Sequence, residues 1–422
     1  MIGHKGWLDI ATLRARAELK DRDAAYRLAR RYLNGRGVDK NAKLAFIWFE
    51  RAAREGLARA QYRLGNCYSQ GLGCEKNPQE ALKWYLEAAE QNYAPAQTAA
   101  GWCYQTGFGG GERDAGQAVS WYSAAALNGN AIAQFNLGEM YARGDGVRRD
   151  YIAAIRHYKS SADQGYRKAQ LNLALMYAQG IGIYKEPDMA LSLCSAAAEQ
   201  GYAKAQYNLG LMYAGGIAIV PDLEEAVEWF SRAAEQGFAK AQYHLATLYA
   251  RGEGVVQDME QALFWLKRAA AGGDARAQYK LTQVYEKGES VSVDTAEASK
   301  WRHRAAEQGH AKAQYELGQI YLRKALNGQF GPEAANWYER AAMQGYHRAQ
   351  YALGVCYARG VGVKKDAANA YSWMTIAAEN GLRKAQYRVD KIEKDLDEGA
   401  LRDGRRLAAT HRKRIAARTS EA

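Results

Sequence analysis

Seven histidines and five cysteines are the side chains of this chain best suited to bind a metal or to act as nucleophiles. They form no HExxH or CxxC motif, and the histidines are scattered along the chain as His4, His157, His244, His303, His310, His347 and His411. Because metal-binding motifs place their ligands at fixed helical or loop spacing, this scatter argues against such a site. We therefore predict no metal site and no cofactor.

One glycine-rich stretch, Gly107–Gly111, has the composition of a phosphate-binding loop. A P-loop needs Lys followed by Ser or Thr after its glycines, whereas Glu112 and Arg113 follow here. The residues of a catalytic triad come together in the folded protein and have no fixed spacing in the sequence. Catalysis can therefore be predicted only where a recognisable motif is present. We find none, and we predict no catalytic residues.

The cysteines stand at positions where other parts of the chain carry apolar residues. Cys67, Cys103 and Cys356 align with Met140 and Met176 in a repeating pattern described below. Free cysteine behaves as a small buried apolar residue, and an odd number of cysteines does not make a disulfide framework. The N-terminus lacks the apolar run of a secretion signal, so the sequence predicts a cytoplasmic protein with free thiols.

A 36-residue unit, seen in full at Ala203–Phe238, organises most of the chain. Its glutamine, Gln206, recurs in nine of the ten full units and in an incomplete eleventh, whereas the first unit carries Ala25 at this position. The ten glutamines are Gln61, Gln97, Gln134, Gln170, Gln206, Gln242, Gln278, Gln314, Gln350 and Gln386. Apolar residues recur with a period of 3.6 in two segments of each unit, and a GxGV loop separates the segments in most copies. Asp222 with Glu225 forms a capping box at the start of the second segment. Each unit is therefore predicted to be an antiparallel pair of α-helices.

Tyrosine holds one position of the first helix in all ten units, and tryptophan holds one position of the second helix in eight. Small residues such as Gly65, Gly138 and Gly210 lie between these aromatics and allow helix backbones to approach. One helix pair cannot bury all of this surface, so neighbouring pairs must stack. We predict that the aromatics form the core and that the repeated glutamine makes a structural hydrogen bond to a neighbouring turn.

The motif AxAQYxLGxxYxxGxGVxxDxxxAxxWYxxAAEQG resembles the Sel-one-like repeat (SLR) family, a relative of the tetratricopeptide repeat. The resemblance extends from about Asp23 to Gln386. It implies an all-α fold, a right-handed α/α superhelix (solenoid) of about ten 36-residue helix-turn-helix repeats. It also implies a scaffold for protein complexes or signalling, usually without catalysis.

Three regions follow from the repeat boundaries: an N-terminal capping helix (1–22), the repeat solenoid (23–386), and a C-terminal capping helix with a basic tail (387–422). The net charge of +12 is concentrated at the ends, with +5 in residues 1–36 and +6 in residues 401–418. We predict that the tail from Arg412 to Ala422 is poorly ordered and dispensable for folding, because it has few large apolar residues.

First-helix residues two and five positions after the repeat glutamine project away from the packing stripe, and we call the surface that they form the groove face. In related helical-pair solenoids these positions line the concave groove. Asparagine amides can both donate to and accept from a peptide backbone, and a tryptophan would act as an anchor. The partner-binding groove is predicted to include Trp102, Asn136, Asn172, Leu175, Asn208, Leu211 and His244. A merely solvated face is the alternative.

The sequence thus favours a non-catalytic scaffold or adaptor that binds a protein or peptide segment in its groove. Attachment of the basic ends to nucleic acid or to an anionic membrane surface is the second interpretation, and it predicts binding that weakens steeply with salt. A hydrolase of β-lactamase-like type is the third, and it predicts turnover by the purified protein.

Overall fold

The structure, a computed structural model, describes residues 9–217, 219–288, 291–326 and 332–421. These residues form twenty-three α-helices and no β-strand. The helices are α1 (Ile10–Glu18), α2 (Arg22–Asn34), α3 (Ala42–Arg54), α4 (Ala58–Gln70), α5 (Pro78–Glu90), α6 (Ala94–Thr106), α7 (Ala115–Leu127), α8 (Ala131–Arg143), α9 (Tyr151–Ala162), α10 (Arg167–Gln179), α11 (Pro187–Glu199), α12 (Ala203–Gly215), α13 (Leu223–Glu235), α14 (Ala239–Arg251), α15 (Met259–Ala271), α16 (Ala275–Lys287), α17 (Thr295–Glu307), α18 (Ala311–Leu326), α19 (Glu333–Ala342), α20 (His347–Arg359), α21 (Ala367–Glu379), α22 (Arg383–Asp395) and α23 (Glu398–Glu421).

Two compact units divide the chain. One holds Met1–Leu209 with Ile217–Ile219, and the other holds Gly210–Gly216 with Val220–Ala422. Within each unit, a helix packs chiefly against the next helix in the chain, as α6 does on α7 and α14 on α15. Helix pairs in succession confirm the predicted all-α solenoid fold.

The helix starts follow the predicted capping chemistry. The side chain of Asp222 accepts hydrogen bonds from the backbone N–H groups of Glu224 and Glu225, both at 3.0 Å. Asn77 caps α5 in the same way through the N–H of Glu80 at 3.1 Å. These bonds satisfy N–H groups that have no partner within the helix, so the prediction of Asp222 as an N-cap is confirmed. The second bond of the predicted capping box is replaced, because the N–H of Asp222 donates to the carbonyl oxygen of Tyr213 at 3.0 Å.

The two glycines of each GxG loop have different tasks. Gly144 ends α8 with a φ of 73°, the left-handed conformation that glycine adopts without strain. At Gly146, a Cβ atom would lie 2.4 Å from the carbonyl oxygen of Ala115 in the preceding repeat. The second glycine therefore lets the loop of one repeat touch the second helix of the repeat before it.

The repeat glutamines join adjacent repeats, as predicted. Nε2 of Gln134 donates to the carbonyl oxygen of Ala126 at 3.3 Å, and its Oε1 accepts from Nε2 of Gln164 at 2.8 Å. The bond to an alanine carbonyl eight residues back recurs as Gln61–Ala53, Gln97–Ala89, Gln206–Ala198, Gln242–Ala234, Gln278–Ala270, Gln314–Ala306 and Gln350–Ala342. The last glutamine, Gln386, is exposed and bonds Asp390 of its own helix instead.

The prediction that the repeated tyrosines and tryptophans belong to the core is only partly right. Of the ten tyrosines, Tyr32 and Tyr177 are buried and the others are half-buried. Trp48, Trp265 and Trp373 are buried, whereas Trp84, Trp121, Trp229, Trp301 and Trp337 are half-buried. An arginine three residues later covers several of these rings, and its guanidinium carbon lies 4.4 Å from the ring centroid of Trp229 and 4.7 Å from that of Trp301. Cation–π contact on the outer side thus replaces full burial.

The prediction of a poorly ordered tail is wrong. Helix α23 continues through Glu421 and packs against α21. One face of α23 is apolar: Ala408 is buried, the ring of His411 stacks on Trp373 at a centroid distance of 4.2 Å, and Ile415 joins the same cluster. Their spacing of three and four residues forms a helical stripe, which the sequence analysis overlooked because of the arginines between them.

The buried thiols match the prediction. Cys67, Cys103, Cys194 and Cys356 are buried, Cys74 is half-buried, and all five are unpaired. Among the described residues, no helix is both long and apolar enough to span a lipid bilayer.

Candidate partner-binding face

A buried tyrosine of the second helix supports the groove face in several repeats. Tyr85, Tyr122 and Tyr158 are at most 4% exposed, and each ring lies against a glycine of the first helix of its own repeat. A Cβ added to Gly65, Gly101 or Gly138 would lie 2.6–2.8 Å from that ring. The glycine that the sequence analysis assigned to close backbone approach therefore makes room for a ring.

The hydroxyl of this tyrosine emerges at the groove face and is bonded there. Oη of Tyr85 donates to Oδ1 of Asn66 at 2.8 Å, and Oη of Tyr122 donates to Oε1 of Gln105 at 2.9 Å. Asn66 stands five residues after its repeat glutamine and Gln105 stands eight after. First-helix residues at these positions therefore surround the hydroxyl.

Two of the predicted binding residues, Asn136 and Asn172, lie beside buried tyrosines of the preceding repeats. Burial raises the pKa of Tyr158 to about 12, and the nearby amide of Asn172 works against that rise. The amide of Asn136 likewise opposes the rise in the pKa of Tyr122 that burial causes. Nδ2 of Asn172 donates to Oε1 of Glu139 in the preceding repeat at 3.3 Å. Asn172 thus has a structural partner that the sequence did not reveal.

Asn208 has a different environment from the other two asparagines. The preceding repeat carries Cys194 at the tyrosine position, so no hydroxyl is available there. Nδ2 of Asn208 instead donates to the carbonyl oxygen of Lys204 on its own helix at 2.6 Å. The three asparagines do not form a uniform ladder of amides.

The remaining predicted residues present mostly apolar surface. Trp102 is 41% exposed and packs on Phe108 with ring centroids 4.8 Å apart, while Leu175 and Leu211 are half-buried. His244 stacks on Phe230, which holds the tyrosine position of its repeat, at 5.4 Å. Burial lowers the pKa of His244. Residues through Asn208 belong to one compact unit and Leu211 and His244 to the other, so each unit carries its own part of the groove face.

A buried arginine takes the place of the tyrosine in the repeat of α16 and α17. Arg302 is 9% exposed and pairs with Glu286, and its Nε lies 3.4 Å from Oε2 of Glu316. Oη of Tyr279 donates to Oε1 of Glu316 at 2.6 Å. Burial, with Glu316 beside it, raises the pKa of Tyr279. Sequence reasoning missed this network. A signal was present, because Thr282 and Arg302 replace both members of the Gly–Tyr pair in the same repeat.

Comparison with known proteins identifies the repeat. The Sel1 repeat matches ten consecutive segments: 22–57, 58–93, 94–130, 131–166, 167–202, 203–238, 239–274, 275–310, 311–346 and 347–382. The chain belongs to the Sel1 repeat family. No curated protein matches it significantly.

Two solved structures of Sel1 repeat proteins resemble the chain. A protective antigen of uropathogenic Escherichia coli that displays an SLR fold is 36% identical, with 96% of this chain and 87% of that chain covered and a TM-score of 0.62. A Sel1 repeat protein from Oxalobacter formigenes is 31% identical, with 58% and 96% covered and a TM-score of 0.53. Repeat proteins of this kind are generally scaffolds for protein interaction.

The seventh Sel1 repeat, residues 239–274, carries a pocket at the groove face. Its volume is about 350 Å³, and it lies among α14, α15 and the next first helix, α16. Ala246 and Leu266, which replace the glycine and the tyrosine, both line it. Within the described residues, no three His, Cys, Asp or Glu side chains are placed to hold a metal ion.

Proposed function

We propose that this Sel1 repeat protein is a non-catalytic scaffold that binds an extended segment of a partner protein along its groove face, in regulation or complex assembly. One observation supports this most: the contacts that build the repeat recur from copy to copy, whereas the groove face changes its side chains. Residues two positions after the glutamine are Asn172, His244, Lys280 and Glu316 in different repeats. A face whose side chains vary on a regularly repeated helical scaffold is suited to specific recognition.

The structure changes which of the predicted groove residues we assign to recognition. Asn172 hydrogen-bonds to Glu139 of the preceding repeat, and Asn136 lies beside the buried Tyr122, so removal of either amide would disturb the face itself. Trp102 has an exposed edge supported from behind by Phe108, which suits an interface anchor. We therefore assign the anchoring contact to Trp102, with Leu175 and Leu211 adding apolar area.

The alternative of a nucleic-acid or membrane surface is less well supported. Within the basic segment of α23, Arg412 pairs with Glu379 at 3.1 Å, Arg405 with Glu393 at 3.5 Å and Arg406 with Asp403 at 3.2 Å. These exposed pairs partly neutralise the charge that an anionic surface would need. The five unpaired thiols fit the reducing cytoplasm that the sequence predicts.

The proposed function is tested by affinity capture from the native cell with the full chain as bait. We expect wild type and Tyr184→Ala to retain the same protein partner and Trp102→Ala to lose most of it. Tyr184 is 89% exposed and lies in a loop, so it controls for the loss of an exposed aromatic ring. Equal capture by all three baits would contradict the assignment to Trp102. Recovery of nucleic acid that is lost at higher salt would favour the alternative.

A further inference from the structure

The pocket of the seventh repeat occupies the place of a missing tyrosine ring. In other repeats the tyrosine is surrounded by four groups: the glycine of its first helix, residues five and eight after the glutamine, and the residue two after the next glutamine. The corresponding residues here are Ala246, Thr247, Ala250 and Lys280, and all four line the pocket, as does Leu266 at the tyrosine position. Leucine is too short to fill this space, so the position stays open to the groove face.

The pocket combines an apolar interior with a cationic rim. Leu263, Leu266 and Val284 contribute apolar walls, and Lys280 and Arg251 are the charged side chains of its lining. Lys280 is exposed and has no ion pair with any described residue, and Nη1 of Arg251 lies 3.6 Å from Oε1 of the exposed Glu253. No carboxylate is among the lining residues that the structure describes.

We propose that this pocket receives a tyrosine or phenylalanine side chain from a partner segment that carries acidic residues beside it. The inference rests on the proposed function, because it specifies what the partner offers to the groove face. A six-membered ring occupies the equivalent space at Tyr85, Tyr122, Tyr158 and Tyr338, each held by the chain itself. Here the partner supplies the ring, and its carboxylates lie near Lys280 and Arg251.

The physical basis is burial of a ring within a charged rim. A partner's aromatic side chain gains apolar burial on the same walls that bury the tyrosine in other repeats. Desolvated aromatic anchors contribute most of the binding energy at many interfaces. The rim charges favour acidic neighbours, speed association and disfavour basic segments.

The test uses the full chain and an acetylated, amidated pentapeptide with tyrosine at its centre and two acidic residues on each side. Binding is measured by isothermal titration against two further peptides, one with a central alanine and one with lysines as flanks. We expect the acidic tyrosine peptide to bind at least about tenfold more tightly than either, from the burial of one ring and from the rim charge.

Filling the pocket gives the decisive variant. The double substitution Ala246→Gly with Leu266→Tyr restores the pair found at Gly138 and Tyr158 and should abolish peptide binding. Its matched control is Ala174→Gly with Cys194→Tyr, which makes the same change in the fifth repeat and should leave binding unchanged. If the filled variant does not fold, Lys280→Glu still tests the charged rim. Its control is Lys240→Glu, at an exposed lysine outside the pocket. We expect peptide binding to weaken several-fold in Lys280→Glu and to stay unchanged in Lys240→Glu.

The outcomes separate this inference from the proposed function. Equal affinity for the tyrosine and alanine peptides, or unchanged binding by the filled variant, overturns the pocket assignment. If a captured partner binds the filled variant as tightly as wild type, the scaffold function stands and the pocket assignment falls. If no partner is captured but the filled variant alone loses the peptide, the pocket stands and the partner-scaffold function is in question.

Discussion

The ring of Tyr158 lies so close to Gly138 that a Cβ on this glycine would be 2.8 Å from the ring's Cδ1 and Cε1 atoms. The same relation joins Gly210 to Phe230 and Gly318 to Tyr338. Where the glycine is replaced in the later repeats, the aromatic residue is replaced with it, as at Ala174/Cys194, Ala246/Leu266 and Thr282/Arg302. Two repeats depart from this pattern: Ala29 stands with the aromatic Phe49, and Gly354 stands with Met374. The two positions are therefore coupled in eight of the ten repeats.

We predict that Gly138→Ala destabilises the protein by about 1–3 kcal/mol, because the added methyl group overpacks the Tyr158 ring. The control is Gly116→Ala on the exposed side of α7, where a Cβ meets only Oδ1 of Asp114 at 3.4 Å. That change should stabilise by about 0.5–1 kcal/mol, since alanine favours a helix over glycine. Denaturant unfolding measures both, and equal effects from the two substitutions would contradict the close contact.

We predict that Gly254→Ala is more damaging than Gly273→Ala. Both glycines have positive φ, 70° and 87°, so each alanine suffers left-handed strain of about 1–2 kcal/mol. Only Gly254 also faces a clash, because its Cβ would lie 2.4 Å from the carbonyl oxygen of Leu223. The difference between the two melting temperatures reports the contact between adjacent repeats. Similar melting temperatures for both variants would show that this contact relaxes freely.

We predict that acidification destabilises the C-terminal helix through His411. Both ring nitrogens are buried without a hydrogen-bond partner, and burial, with Arg414 nearby, lowers the pKa of His411 below its ordinary 6.5. The unfolded chain therefore binds the proton more readily than the folded one. The contribution to stability is complete above about pH 6.5 and falls as the pH drops from there through the lowered folded-state pKa.

The measurement is the urea midpoint at pH 7.5 and at pH 5.5 for wild type and for His411→Phe, which keeps a ring on Trp373. Wild type should lose more stability between the two values than the variant. Part of the loss will remain in the variant, because burial also lowers the pKa of His157, His244 and His310. An unchanged pH dependence would exclude His411 as a contributor.

We predict that deletion of residues 405–422 lowers the melting temperature by several degrees. The deletion exposes Trp373, which is 1% exposed in the intact chain, and removes Ala408 and Ile415 from the same cluster. Ile415→Ala should cost part of this stability, whereas Lys413→Ala, an exposed position on α23, should cost little. A melting temperature unaffected by the deletion would restore the view of a dispensable tail.

Sequence reasoning found the parts of the fold that repeat. A helix pair with Asp222 as cap and Gln206 as junction could be predicted because each feature is local and occurs many times. A C-terminal capping helix was predicted, but its continuation through the basic tail was missed. His411 and Ile415 form its apolar stripe among arginines, a weak signal that only the surface of α21 against which the helix packs explains. A contact between helices that occurs only once in the chain produces no repeated sequence pattern from which it could be predicted.

The positions that form the groove face could be predicted from the sequence, but the contacts of their side chains could not. The period gives the positions, whereas the hydrogen bond between Asn172 and Glu139 joins two repeats, and neither residue reveals the other. The pocket at Leu266 exists because no tyrosine ring fills this position. The missing ring is recognised only by comparison with Tyr85, Tyr122 and Tyr158 in other repeats. A residue such as Leu266, which departs from the repeat pattern, is a stronger indication of a local binding site than a residue that recurs in every repeat.

Eight of the repeat glutamines donate to the alanine carbonyl eight residues back, so the junctions that they form are chemically alike. Excising residues 275–310 joins Asp274 to Ala311, and Gln314 then meets Ala270 where Gln278 stood. The chain can thus be shortened, or lengthened by duplication, in steps of one repeat without creating a new kind of seam. Each added or removed repeat would lengthen or shorten the groove face by one step, so the length of this face is open to evolution by duplication or loss of single repeats.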